Sequence, residues 1–260
     1  MKNIYLVAFL IFSSVFAFAQ KKDFKIYNAI LFDETPSLEQ YGILDFNMIY
    51  EDGLITTNYK VKEAKAPTRR FVDEQKVIKA ASKSLAQDVP VCLDVEHWDL
   101  NKKTEKAYST ARYLELINNY RQIDSKNLVS VFHYGAVAKP IYDASNVIYP
   151  AFYMQTDQMK DWYDKVNYFL RNTKKFGGNK PVYALVWPQY NTTKKNANKP
   201  FSMLEKKVWR AQLEYLYQRC DGLVIWTHYR DENGKRIQFD EKSPWFQETL
   251  AFIKAKKLNR

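Results

Sequence analysis

The chain has 260 residues, 46% hydrophobic and 16% aromatic, with a formal net charge of +11. That composition excludes a disordered or fibrous chain and suits one globular domain with a sizeable core. The two cysteines, Cys92 and Cys220, fall at apparent strand and helix ends and read as small core residues, although their pairing is left open.

The amino-terminal stretch MKNIYLVAFLIFSSVFAFAQ carries a basic Lys2, an apolar run from Ile4 to Phe16, and small residues at Ala17 and Ala19. This is the layout of a cleavable leader over 1–19, so the expectation is a secreted or periplasmic protein whose mature domain spans 20–260. The run is short for a bilayer span, no later segment is long and apolar enough, and neither cysteine follows the leader to carry a lipid. No membrane span is therefore expected after cleavage.

Beyond the leader, short apolar runs alternate with amphipathic stretches. Strands are predicted over 25–32, 46–50 (a weaker run), 91–96, 128–134, 147–154, 182–190 and 222–229. Between them, Asp73 caps a helix carrying Val77, Ile78, Ala81 and Leu85, and a second helix carries Ala107, Ala111, Leu114 and Ile117. A third carries Trp162, Val166, Phe169 and Leu170. Ser202 and Glu205 have capping-box spacing before Leu204, Val208, Ala211 and Tyr215, and Ser243-Pro244 opens a last helix. The Lys-rich segment from Gly53 to Arg70 reads as a loop or a short hairpin. Strands alternating with helices, without a linker or repeat, predict an α/β fold of one TIM-like (β/α) barrel with seven or eight strands, irregular in its first third. An open doubly wound sheet is the alternative. It would place a Gly-rich turn after the first strand, and none is there.

The chemistry concentrates in PVCLDVEHWDL, residues 90–100, where an apolar run ends in Asp94 and Glu96. Residues two apart on a strand face one side, so these carboxylates are neighbours, and two adjacent acids resist double ionisation. A carboxylate at a strand end is often merely solvated or a helix cap. Here the other strand ends supply Tyr134, Tyr153, Tyr190 and Trp226, aromatic groups suited to stacking on sugar rings. Acids ringed by aromatics point to a carbohydrate cleft.

These residues resemble the hyaluronidase-type glycoside hydrolases, barrel enzymes acting on N-acetylhexosamine-containing chains. VCLDVEHW, with Asp94, Glu96 and Trp98, is similar to the family's Asp-x-Glu strand, and VIYPAFYM to its Tyr-Pro-x-x-Tyr strand; PVYALVWPQY and GLVIWTHY resemble later strands. The resemblance covers roughly residues 90 to 229. It implies a retaining, substrate-assisted mechanism in which Glu96 is acid and then base and Asp94 orients the substrate's acetamide. Tyr153 and Trp226 would line the acetamido pocket, and Tyr134, Tyr190 and Trp98 would contact substrate. His97 stands where the family has a second acid, and the framework cysteines of the animal enzymes have no counterpart. Asp33, in LFDET at the end of the first strand, is the competing nucleophile.

The rivals differ in kind. Chitinase-type enzymes carry Asp-x-Asp-x-Glu, and Cys92 occupies the first of those positions. A lysozyme-like muramidase with an Asp-x-Glu site stays open, as does a carbohydrate-binding barrel without catalysis. A metal site built from His97, His133, His228 and Asp94 lacks His-x-His or His-x-x-x-His spacing, so neither metal nor cofactor is expected. The expected partner is a polysaccharide or oligosaccharide, with the basic charge admitting an anionic one, and not a nucleic acid.

Overall fold

The structure is a computed structural model and describes residues 23–57, 70–135, 137–191 and 200–258. The predicted leader lies outside the described residues. Among the described residues, five strands precede the first α-helix and strands and helices then alternate: β1 (Lys25–Ala29), β2 (Leu44–Asp45), β3 (Asn47–Tyr50), β4 (Ile55–Thr57), β5 (Arg70–Val72), α1 (Glu74–Gln87), β6 (Val91–Asp94), α2 (Lys106–Ile123), β7 (Val129–His133), α3 (Lys139–Ala144), β8 (Tyr149–Pro150), α4 (Met159–Lys174), β9 (Tyr183–Val186), α5 (Lys206–Arg219), β10 (Gly222–Trp226) and α6 (Pro244–Lys256).

Strand pairing makes a ring. One parallel run is β2–β1–β10–β9 and another is β3–β6–β7–β8. Parallel bridges Ile148↔Val182 and Ala151↔Leu185 join β8 to β9. On the other side, β2 pairs with β1 and β3 with β6, and only Phe46 separates β2 from β3. The segment 44–50 is thus one bent strand that serves both neighbours, and the result is a barrel of seven parallel strand positions. Each of the seven predicted apolar runs occupies one of them, with shorter paired cores than the runs themselves.

Alternation sorts the side chains. Tyr27, Cys92, Tyr149, Ala151, Tyr153, Tyr183, Leu185, Trp187 and Val224 form the barrel interior, with Phe46, Met48, Phe132 and Trp226 against it. The intervening positions face the helices: Leu93, Val95, Val129 and Val131 toward α1 and α2, and Ile148, Ala184, Val186, Leu223 and Ile225 toward α4, α5 and α6. Both cysteines are buried, Cys92 inside the barrel and Cys220 in the outer layer. Gly222 is required where β10 starts, because a Cβ there would meet the Lys25 carbonyl oxygen at 2.4 Å.

The helix signals were mostly realised. Asp73 caps α1, its Oδ1 accepting from the Lys76 amide at 3.2 Å, and α1 buries Val77 and Ala81 on one face. Ser243 and Pro244 open α6. The Ser202–Glu205 capping box does not form: α5 starts at Lys206 with Glu205 as its N-cap and no side-chain cap. Glu205 instead accepts from the Tyr190 hydroxyl at 3.1 Å. The segment predicted as loop or hairpin contributes the antiparallel pair β4–β5, while residues 58–69 lie outside the described ones.

Candidate active site

The carboxyl end of β6 delivers Asp94 on the interior face, opposite Tyr50 of β3 in the pairing register. Strand pairing stops there, and Glu96 sits in the following turn, exposed, rather than in a strand reaching residue 96. Asp94 is only 7% exposed, and its Oδ1 is buried without a hydrogen-bond partner. Burial first, then the charges of Glu96 and Glu51, push its carboxyl from 3.8 up to about 7. Tyr50, Tyr113 and Tyr153 each feel the charges of both Asp94 and Glu96, which places the two acids at one locus.

Beside Asp94, which is not itself in the lining, opens a cavity of about 630 Å³, lined among others by Glu96, Trp98, Phe132, Tyr134, Tyr153, Trp187 and Trp226. Its wall is a set of interlocked rings. Tyr153 stacks on Trp226 with centroids 5.6 Å apart and planes at 25°. Trp187 stands edge-on to both, 5.3 Å from Tyr153 and 4.9 Å from Trp226. Hydrogen bonds fix the indoles: Trp226 Nε1 donates to the Tyr50 hydroxyl at 3.0 Å, and Trp187 Nε1 donates to Oε1 of the buried Gln189 at 2.6 Å. Burial raises the Tyr50 hydroxyl to about 12, so it stays protonated across the working range.

At the rim, Tyr134 is half exposed and lies over Phe132 with the planes 23° apart. Its hydroxyl accepts from Gln155 Nε2 and, at 3.3 Å, from Asn191 Nδ2. The Lys165 ammonium lies 5.3 Å from the Tyr134 ring centroid, and burial pushes it down to about 8. Trp98 reaches the cavity from the opposite side, 1% exposed and edge-on to Tyr113 at 5.2 Å.

Five of the sequence-selected residues, Glu96, Trp98, Tyr134, Tyr153 and Trp226, therefore line one cavity, and Asp94 is tied to it through its charge on Tyr113 and Tyr153 of the lining. Tyr190 does not. It packs in the outer core with its hydroxyl on Glu205, so the expectation that it faces substrate is corrected: position 190 follows the face of Ala184 and Val186, which point at the helices. Asp33 also lies outside the cavity lining, held by Arg236, whose Nε donates to Oδ2 at 2.7 Å and whose guanidinium lowers its carboxyl.

The histidines are dispersed by role. His97 Nδ1 is 2.6 Å from Glu51 Oε2, His133 lines the cavity and is pushed down to about 3 by burial, and His228 stacks on Phe201 at 4.3 Å. Among the described residues, no group of three or more His, Cys, Asp or Glu is disposed to hold a metal ion.

Sequence reasoning missed Tyr50, Trp187, Phe132, Asn191 and Asp99. Alternation along VYALVW held the signal for Trp187, which shares a face with Tyr183 and Leu185. Tyr50 needed knowledge of which strand lies beside β6.

No family model matches the sequence, and no curated protein matches it. Solved structures do. Bee venom hyaluronidase superposes with a TM-score of 0.57 at 12% identity, over 91% of this chain and 100% of that one. The same enzyme in complex with a hyaluronic acid tetramer gives 0.54 at 11% identity, over 90% and 96%. A glucosidase from Croceicoccus marinus gives 0.51 at 9% identity, over 84% of this chain and 51% of that one. The resemblance first carried by the strand motifs extends to the whole barrel, and at these identities it is a likeness of fold.

Proposed function

We propose that this protein is a secreted glycoside hydrolase that cleaves N-acetylhexosamine-containing glycans with retention, using the substrate's own acetamide as nucleophile. The observation that carries the proposal is the meeting of Asp94 and Glu96 at one aromatic-walled cavity. The strands across the barrel bring to its lining Tyr153, Trp187 and Trp226 and, among the described residues, no carboxylate. A retaining enzyme with a protein nucleophile needs a second acid about 5 Å across the scissile bond. Asp33, the competing candidate, is engaged by Arg236 away from the cavity lining.

In the reaction, the acetamide carbonyl oxygen attacks the anomeric carbon while the glycosidic bond breaks. Its electron pair stays on the leaving oxygen, which takes a proton from Glu96. The exposed position of Glu96 in the cavity mouth suits it to reach that oxygen. Asp94 accepts a hydrogen bond from the acetamide N–H and stabilises the positive charge that develops on the cyclic intermediate. Water then attacks the anomeric carbon, Glu96 takes its proton, and the ring reopens. The paired acids suit this sequence. An N–H supplied to the orphaned Asp94 Oδ1 favours the ionised form that the intermediate needs beside it. Tyr153, Trp226 and Trp187 enclose the acetamide and keep bulk water from the intermediate.

A thiazoline analogue of the cyclic intermediate should inhibit competitively, products should retain the anomeric configuration, and 2-hydroxy sugars should resist cleavage. Turnover of 2-hydroxy sugars together with a covalent adduct trapped on Asp33 would overturn the mechanism. Export is tested separately, by an amino-terminal mass beginning at Gln20 on protein recovered outside the cytoplasm.

A further inference from the structure

The cavity has two kinds of wall. Phe132, Tyr153, Trp187 and Trp226 belong to the barrel interior or pack against it, whereas Val95, Trp98, Leu100 and Tyr113 belong to the outer layer packed around α1 and α2. The second wall is formed mostly by the loop from β6 to α2, residues 95–105, with Tyr113 of α2 behind it. Gly135 lets that loop close on the end of β7, since a Cβ there would meet Asn101 Oδ1 at 2.7 Å.

The charges on this side are of one sign. Glu96 and Asp99 line the cavity, Asp94 lies beside it, and the charge of Glu51 reaches Asp94. Among the described residues no lysine or arginine lines it. Lys165, the cation against Tyr134, has its Nζ buried without a hydrogen-bond partner rather than presented to the cavity. The chain as a whole has 40 Lys and Arg against 29 Asp and Glu, so the cavity is locally opposite in sign to the molecule.

The polar groups of the lining other than Glu96 and Asp99 are neutral. Trp98 Nε1 and both ring nitrogens of His133 are buried without partners, and burial keeps His133 uncharged. Buried polar groups without partners are rare in folded proteins and call for a ligand or water. Uncharged donors and acceptors match sugar hydroxyls and amides, whereas a uronate would meet Asp99 with no counter-ion among the described residues of the lining.

Resting on the glycosidase reading, we propose that the cavity selects uncharged N-acetylhexosamine glycans over uronate-bearing ones, and that the wall formed by the β6–α2 loop, with Asp99, makes the discrimination.

The test compares N-acetylglucosamine hexamers with hyaluronan hexamers on the full chain, as kcat/KM at low and high salt. The neutral oligomer should be favoured by about tenfold or more at low salt, as expected for one like charge a few ångströms away, and the gap should narrow as salt rises. Asp99→Asn preserves an acceptor for the Asn101 amide, now at 2.7 Å from Asp99 Oδ1, and should narrow the gap severalfold, with a melting curve confirming that it folds. Equal or better turnover of hyaluronan, or an unchanged ratio in Asp99→Asn, overturns the selectivity and leaves the glycosidase reading standing. If neither oligomer is cut, calorimetric binding decides: tighter binding of the neutral oligomer upholds the selectivity while the hydrolase reading fails, and tighter binding of hyaluronan, or binding of neither, overturns both.

Discussion

Asp94 should make the folded protein weaker as the pH rises. Its carboxyl is held at about 7, against 3.8 for a free side chain, because it is buried and faces the charges of Glu96 and Glu51. Between those two values the folded chain keeps a proton that the unfolded chain has released. Stability from this group is therefore full below about pH 4 and lost as the pH climbs through about 7. At about 1.4 kcal/mol for each tenfold change in proton affinity, the difference amounts to about 4 kcal/mol. Asp94→Asn removes the titration but puts an amide where Oδ1 has no partner, at a cost of roughly 1 kcal/mol. The variant should thus exceed the wild type by about 3 kcal/mol at pH 8, roughly 6 to 12 °C in Tm for a chain of this size, and fall slightly below it at pH 4. Urea unfolding followed by tryptophan fluorescence from pH 4 to 8 measures this directly. Parallel stability curves for the two proteins would refute the reasoning, and Asp94→Asn should in any case be catalytically crippled.

Glu96→Gln should cut kcat by about 100-fold or more with glycan binding and folding retained, because a poor leaving group loses its proton donor; near-wild-type rates would remove Glu96 from that role. Tyr50→Phe deletes the acceptor for Trp226 Nε1 and should lower kcat/KM about fivefold, the value of one hydrogen bond of about 1 kcal/mol, read from steady-state kinetics. Asp33→Asn breaks a surface ion pair with Arg236 and should leave kcat within a factor of about three, since exposed pairs contribute little. Gly222→Ala sets a methyl group against the Lys25 carbonyl and should cost about 1–3 kcal/mol, seen as a lowered Tm; an unchanged Tm would mean that β1 and β10 lie further apart than described.

The barrel was legible because its seven strands are apolar runs bounded by turn residues and amphipathic helices, and because the chain lacks the glycine turn of an open nucleotide fold. The candidate site was legible only in part. Asp94 and Glu96 announce themselves as acids at the end of a buried run, and Tyr153 and Trp226 as aromatics at the ends of two others. Tyr190 misled because it was chosen for its place at the end of the run 182–190 and not for its face, which alternation makes that of Ala184 and Val186. Pairing ends at Val186, and Trp187 rather than Tyr190 carries the interior alternation to the cavity. Tyr50 was invisible for a different reason: its weight comes from a neighbour in space, β6, that is distant in sequence. The bend at Phe46, which lets one segment pair with β1 and then β6, likewise leaves no local mark beyond a weak strand signal. Capping was readable at Asp73 but not at Ser202, where the Tyr190 hydroxyl competes for Glu205.

The seam of the ring sets an order of events. Lys25 lies against Gly222, and Ala29 against Trp226, so the first strand has its longest pairing with the last. While the chain is being synthesised, β6, β7 and their helices can associate locally, yet β1 has only the two-residue partner β2 until residues near the carboxyl end emerge. Long-range pairing of this kind forms slowly because loop closure precedes its reward. If the predicted leader directs export, such a delay is useful: the polypeptide stays unsealed, and so threadable through a narrow translocation channel, until β10 has been made.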